Sequence, residues 1–149
     1  MANAVSRRNT IQTTIDTYNS FCVIFNIVVL AISGLMLLFV GLMRLSNPIK
    51  NYSKNSGIQL ENDVNLLNEV RGVSSVMLCS GIIILSGILI PKLTLSSFVV
   101  GSLIFIGFAI GRLLSTSLDG KPNKLLKQGL MFELVLGALN VFALVNILG

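Results

Sequence analysis

Histidine and tryptophan are absent from this 149-residue chain, and charged residues make up only 11% of it. The absence of histidine removes the commonest general base and the commonest transition-metal ligand. It also excludes serine–histidine and cysteine–histidine nucleophile pairs within the chain. The sequence therefore predicts a protein that is not an enzyme, with no catalytic residues, no cofactor and no metal site.

Cysteine is scarce as well. Cys22 and Cys79 both lie inside apolar runs, without a CxxC motif or a framework of spaced cysteines. Buried cysteine behaves as a small apolar residue. We therefore interpret both as helix residues that form neither a disulfide nor a metal site.

The shortage of charge indicates the solvent. A soluble domain is about 25% charged, whereas this chain is 53% hydrophobic with a mean hydropathy of +0.84. Lipid is therefore expected to surround most of it. The net charge is +5, but the basic residues are scattered through short connections between apolar runs. This pattern favours the positive-inside bias of a membrane protein over nucleic-acid binding.

Four uncharged or nearly uncharged runs are long enough to cross a membrane: residues 21–43, 72–90, 93–114 and 126–148. At 1.5 Å per residue the first run reaches about 34 Å, against roughly 30 Å of hydrocarbon, and it is too long for a signal peptide. Because lipid cannot satisfy exposed backbone groups, the fold class is predicted to be an all-α integral membrane bundle of four transmembrane helices, spanning residues 21–149. The polar tail 1–20 either lies on the membrane surface or extends the first helix.

The connections between the runs differ in length. Residues 44–57 read as a loop, and the stripe Leu60, Val64, Leu67 and Arg71 predicts a short amphipathic helix leading into the second span. Pro91 and Lys92 make a tight turn, which forces the second and third spans into an antiparallel hairpin. Asp119–Pro122 forms the turn before the fourth span.

Basic residues predict the orientation. The first and third connections with their flanks carry Arg44, Lys50, Lys54, Arg71, Arg112, Lys121, Lys124 and Lys127, against Arg7, Arg8 and Lys92 on the other side. This imbalance favours an orientation with the first and third connections cytoplasmic and both termini outside.

Small residues recur at spacings of four or eight in the last two spans: Gly107, Gly111 and Ser115; Ser97 and Gly101; Gly129 and Gly137. Small residues allow helix backbones to approach closely in lipid. The pattern predicts a compact bundle with the third and fourth spans near its centre.

Ionisable residues inside a span cost roughly 2.5–3.5 kcal/mol each at the membrane centre. Glu133 lies about 10 Å into the fourth span, on the same side of the membrane as Arg112, so an ion pair between them is feasible. Arg71, Asp119 and Asn140 complete a predicted polar cluster. Three interpretations remain open: a structural clamp, a ligand or ion site, and an acid–base site.

The combination of motifs resembles the bacterial four-helix membrane proteins of domain-of-unknown-function family 4345. The resemblance rests most specifically on Gly111, Arg112, Ser115, Asp119, Gly120, Pro122 and Glu133, with Arg71 and Gly72 as a second anchor. Where a glycine pair often follows that arginine in the family, this chain has Val73-Ser74-Ser75. The resemblance implies a bacterial-type four-span bundle, which we expect in the inner membrane, and it strengthens the polar cluster, but it implies no activity.

Three functional hypotheses follow. The first is a non-catalytic accessory or scaffold subunit, or a lipid-binding bundle, with membrane lipid as its partner and other membrane subunits or self-association as further partners. The second is a small oligomeric transporter or channel that uses Glu133 and Arg112. The third is an enzyme that acts on a lipid headgroup bound between Arg71 and Arg112.

Overall fold

The computed structural model describes the backbone from residue 2 to residue 149, and the side chains of Thr17 and of residues 20–149. Within that part the chain is helical and has no strand, as predicted. Its helices are α1 (Ala2–Ser46), α2 (Pro48–Ser56), α3 (Val64–Leu89), α4 (Thr94–Leu118) and α5 (Lys124–Leu148), with a 3₁₀ turn at Pro91–Leu93 between α3 and α4. Because α1 begins at Ala2, the polar tail continues the first helix. The prediction that this tail lies on the membrane surface concerns residues 2–16, whose side chains are not among those described.

Four helices are long and apolar enough to cross a membrane: Ser20–Ser46, Val64–Leu89, Pro91–Leu118 and Lys124–Leu148. They confirm the four predicted spans. No more than 33% of the most apolar window of each is buried against protein, and large side chains such as Leu103 and Phe39 face outward. So much exposed apolar surface is unusual on a soluble monomer, and it makes the chain a multi-pass membrane protein.

The short helix between the first two spans is confirmed, but it is α2, within the stretch predicted as a loop. The Asn47 side chain caps it by accepting a hydrogen bond from the Lys50 N–H at 3.3 Å, and Pro48 occupies the first turn. Gly57 ends it with φ 65°, in the left-handed region. The predicted stretch 60–71 instead begins irregularly and then becomes the first turns of α3, which Asp63 caps.

Glycines bring α1 and α3 into backbone contact. A Cβ added at Gly41 would lie 2.7 Å from the Leu78 nitrogen, and one added at Gly81 would lie 2.7 Å from the Leu38 nitrogen. Any larger residue would push the helices apart. Close packing therefore involves the first two spans, and not only the third and fourth as the sequence analysis emphasised. The seven-residue spacing of Gly34 from Gly41 is the sequence signal that was missed.

Some of the predicted packing residues do pack. A Cβ at Gly137 would lie 2.6 Å from Ile106 Cδ1 on α4, and one at Gly101 would collide with Asn140 on α5. Ser97 is buried, and its hydroxyl donates to the Ile83 carbonyl on α3 at 2.8 Å. These contacts surround a core of fully buried apolar side chains that includes Leu30, Ile84, Phe98 and Phe105.

The packing prediction is wrong for the other half of α4. Gly107 and Gly111 are exposed, and a Cβ added at either would meet nothing within 4 Å; Ser115 is exposed too. At Gly129 an added Cβ would touch only the Arg112 guanidinium, at 3.8 Å. The reason is that α3 and α4 are joined by a short turn at Pro91–Leu93, so that they are held together there and separate toward the opposite end.

Candidate functional site

The polar side chains of the candidate site lie at one end of the bundle. The end of α1, the start of α3, the end of α4 and the start of α5 lie there, together with α2 and the α4–α5 connection. We call this end the mouth and define it by Arg44, Tyr52, Ser56, Arg112 and Glu133. It lies opposite the tight turn at Pro91–Leu93.

The predicted ion pair across α4 and α5 forms. Arg112 Nε donates to Glu133 Oε1 at 2.9 Å and lies 2.8 Å from Oε2. The Arg112 and Glu133 side chains are 26% and 11% exposed, so each charge offsets much of the desolvation cost of the other. Because Glu133 binds only the Nε edge, the two Nη groups of Arg112 have no hydrogen-bond partner in the part of the chain that the structure describes.

Arg44 is a second cation at the mouth. In the sequence it is only one of several basic residues in the first connection and its flanks. Its Nη1 lies 3.5 Å from the Tyr52 hydroxyl and its Nη2 lies 3.2 Å from Ser56 Oγ. The Arg44 guanidinium carbon lies 4.4 Å above the Tyr52 ring centre, and its Nε is buried without a partner. No carboxylate of the described residues lies within ion-pair distance of it, so the Glu133 carboxylate attracts it only from a longer distance.

Helix α2 holds the partners of Arg44 in place. The Asn51 amide donates to the Asn47 carbonyl at 2.8 Å and also to the Met43 carbonyl, which folds α2 back against the end of α1. The Asn123 amide donates to the Ser56 carbonyl at 2.8 Å. Ser56 is thereby fixed twice, because it is the last residue of α2 and its carbonyl is bound by the α4–α5 connection.

The structure does not bring the remaining predicted cluster residues to this pair. Arg71 is exposed on α3. Asp119 is exposed and accepts a hydrogen bond from Ser115 Oγ at 2.9 Å, which completes the end of α4. Asn140 lies about 10 Å further along α5 than Glu133, fully buried, where its amide donates to Ser33 Oγ on α1 at 2.8 Å.

A cavity of about 350 Å³ opens at the mouth. Its polar lining is Arg44, Tyr52, Ser56, Arg112, Ser115 and Thr116, and no carboxylate of the described residues lines it. Deeper in, the wall becomes apolar or small at Gly107, Phe108 and Leu130. Arginine guanidinium groups with adjacent hydroxyls are suited to a phosphate or carboxylate group.

A second cavity of about 330 Å³ shares Arg44, Phe108 and Arg112 with the first and adds Glu133. Most of its remaining lining is apolar, with Phe39, Phe105 and Phe132 among the larger side chains. The two arginines therefore border both cavities. Neither Arg71 nor Asp119 lines either one.

These features define a small, multi-pass, all-helical membrane protein with a cationic mouth. Residues 25–144 match the family model described as Domain of unknown function (DUF4345), and the chain belongs to this family, as its motifs indicated. The matched region includes every residue that defines the mouth. Neither a curated protein nor a solved structure matches the chain.

Proposed function

We propose that the protein is a non-catalytic, lipid-binding membrane bundle whose mouth binds an anionic headgroup. The observation that carries this proposal is Arg44, a half-buried arginine without a carboxylate partner that shares a cavity with Arg112. A desolvated cation without a counter-ion is costly in a membrane protein. An anion bound beside it removes that cost.

The charges at the mouth indicate how many anionic groups it accepts. Arg44 and Arg112 contribute two positive charges and Glu133 one negative charge, so one positive charge is in excess. A headgroup with a single negative charge neutralises it. The free Nη groups of Arg112 supply directed donors, and the hydroxyls of Tyr52 and Ser56 keep their own hydrogens to donate, because both accept from Arg44.

The bonding of the hydroxyls in the cavity supports a binding role over a catalytic one. Thr116 Oγ1 donates to the Arg112 carbonyl at 2.7 Å, one turn back in its own helix. Ser115 Oγ donates to Asp119 at an exposed helix end. Neither hydroxyl is paired with a base that is itself oriented by a third group, the arrangement that activates a nucleophile.

The test compares lipid retention in Arg44→Gln and Arg71→Gln by native mass spectrometry of protein released from membranes. Arg44→Gln is expected to lower the bound anionic lipid by about tenfold or more, as for loss of a charged contact. Arg71→Gln removes the same charge from an exposed position outside both cavities, so it is the matched control and should resemble wild type. Equal retention in Arg44→Gln and wild type would refute the proposal.

A second candidate is a small oligomeric transporter, and the shared border of the two cavities favours it. Arg112 and Glu133 stand where the cavities adjoin, so separation of the pair would change the barrier between them. Under this proposal Glu133→Gln abolishes solute flux in proteoliposomes while the protein stays folded. A flux equal to wild type in this variant would eliminate the candidate.

Membrane location and partners complete the proposal. In the orientation that the basic residues favour, the first and third connections are cytoplasmic and the bundle lies in an inner membrane. The mouth then faces the cytoplasmic leaflet, where it meets anionic headgroups directly. Association with another membrane subunit or with a second copy remains a further proposal, since much of the apolar surface of the spans is free within this chain.

A further inference from the structure

We infer that the ligand of the mouth is an amphiphile whose hydrocarbon chain lies against Gly107 and Gly111 of α4, while its anionic headgroup binds Arg44 and Arg112. This inference rests on the proposed function and adds the site that the hydrocarbon chain of the lipid occupies. It distinguishes a membrane lipid from a free phosphate or carboxylate, which the two arginines alone would bind equally well.

The cavity itself is amphipathic along the direction of the membrane normal. Its polar side chains lie at the mouth, where Arg112, Ser115 and Thr116 are the α4 contributors. Gly107, five residues before Arg112, lies about 7 Å deeper. Leu126, Leu130 and Val73 complete the wall of the cavity with apolar side chains. A free anion fills only the polar half, whereas a lipid fills both halves.

The apolar half is open because α3 and α4 separate toward the mouth. Near the tight turn the two helices are in contact: Thr94 Oγ1 donates to the Gly87 carbonyl at 2.9 Å, and a Cβ added at Gly87 would collide with Ser97. At Gly107 and Gly111 an added Cβ would meet nothing within 4 Å. The space between α3 and α4 therefore widens toward the mouth. It begins at the depth of the membrane hydrocarbon and becomes the cavity.

The two α4 glycines of the cavity, Gly107 and Gly111, have no packing role among the residues that the structure describes. Glycine weakens a helix, and at Gly101 and Gly137 close neighbours compensate for that loss. No neighbour does so at Gly107 and Gly111. The space that they leave continues directly below two arginines, and this charge favours a lipid chain over a partner helix as the occupant.

The experiment fills the apolar half without touching the polar half. Gly111→Leu and, separately, Gly107→Leu place a side chain in the open space. Gly72→Leu is the matched control, because Gly72 is exposed, has nothing within 4 Å of an added Cβ and lies outside the cavity. Each variant is tested, in detergent, for binding of dioleoyl phosphatidylglycerol and of glycerophosphoglycerol, the same singly charged phosphodiester headgroup without chains. A melting curve verifies that each variant is folded.

The expected result is that Gly111→Leu or Gly107→Leu weakens lipid binding by about tenfold and leaves glycerophosphoglycerol binding within about twofold. Gly72→Leu should change neither. The inference is overturned if both cavity variants bind the lipid like wild type while Arg44→Gln does not, which leaves the proposed function intact. Wild-type lipid binding by Arg44→Gln overturns both. Loss of an oligomer in Gly111→Leu, with lipid binding unchanged, overturns the inference in favour of a helix partner.

Discussion

Arg112 Nε lies within 2.9 Å of both carboxylate oxygens of Glu133, 21 residues later in the sequence and on the neighbouring helix. The guanidinium is thus held by one edge, and its two Nη groups stay available at the mouth. Glu133 therefore fixes the position of Arg112 as well as compensating its charge. This relationship accounts for a carboxylate buried within a membrane span, which would otherwise be costly.

Breaking this pair should destabilise the bundle. Glu133→Gln leaves Arg112 partly buried without its counter-ion, and we expect a loss of about 1–3 kcal/mol, below the range for fully buried pairs because Arg112 is partly exposed. The double variant Arg112→Gln/Glu133→Gln should lose less than the sum of the two single variants. Thermal unfolding in a mild detergent measures all four proteins. Additive losses would contradict the coupling.

Substitution of the glycines between α1 and α3 should disrupt the bundle more than substitution of the exposed Gly72 on α3. Gly41→Ala places a Cβ 2.7 Å from a backbone nitrogen of α3, so the helices must separate, at a cost of about 1–3 kcal/mol. Gly72→Ala meets open space and should gain up to about 1 kcal/mol from helix propensity. Melting temperatures should move in opposite directions. A rise in both would show that α1 and α3 do not touch as described.

The buried Asn140 should contribute modestly to stability through α1. Its amide donates to Ser33 Oγ and to the Leu136 carbonyl, both at 2.8 Å. Hydrogen bonds between membrane helices average about 0.6 kcal/mol, and Asn140→Ala also leaves an unfilled space. We expect a loss of about 1–2 kcal/mol. A double-mutant cycle with Ser33→Ala measures the coupling free energy between the two side chains. A coupling of zero would show that their hydrogen bond does not stabilise the bundle.

Helix α2 should control Arg44 from a distance. Gly57→Ala forces a non-glycine residue into the left-handed region at φ 65°, at a cost of about 1 kcal/mol or more. We expect faster amide hydrogen exchange across α2, since its end positions Ser56. Anionic lipid retention should fall with it, because Ser56 and Tyr52 hold the Arg44 side chain. Faster exchange with unchanged lipid retention would separate α2 from the binding site.

Hydropathy alone was sufficient to predict the four spans, because lipid imposes a minimum length on each apolar run. The prediction misplaced the short helix because its clearest signals, Asn47-Pro48 and Gly57, are caps at the ends of a stretch of mostly polar residues. Capping was the stronger signal in this case, and the stripe from Leu60 to Arg71 belongs to the start of α3.

The site was predicted only in part, for a physical reason. Arg112 and Glu133 stood out because each interrupts an apolar run on the same membrane side. Arg44 and Arg71 look alike in the sequence, since each borders a span at that end. Only the fold distinguishes them: α2 folds over Arg44 and encloses it, whereas Arg71 points away from both cavities. Likewise, the spacing of Gly107 and Gly111 predicts a face packed against another helix. In the fold α3 and α4 separate at this level, so these glycines line a cavity instead.

The cationic mouth is proposed to hold an anionic lipid. A density map of the protein purified with its native lipids is the most direct test of this proposal. We expect headgroup density within hydrogen-bond distance of the Arg44 guanidinium and of the Arg112 Nη groups. We also expect density for the hydrocarbon chain along Gly107 and Gly111. A cavity that holds only water, or one filled by a helix of another subunit, would contradict it.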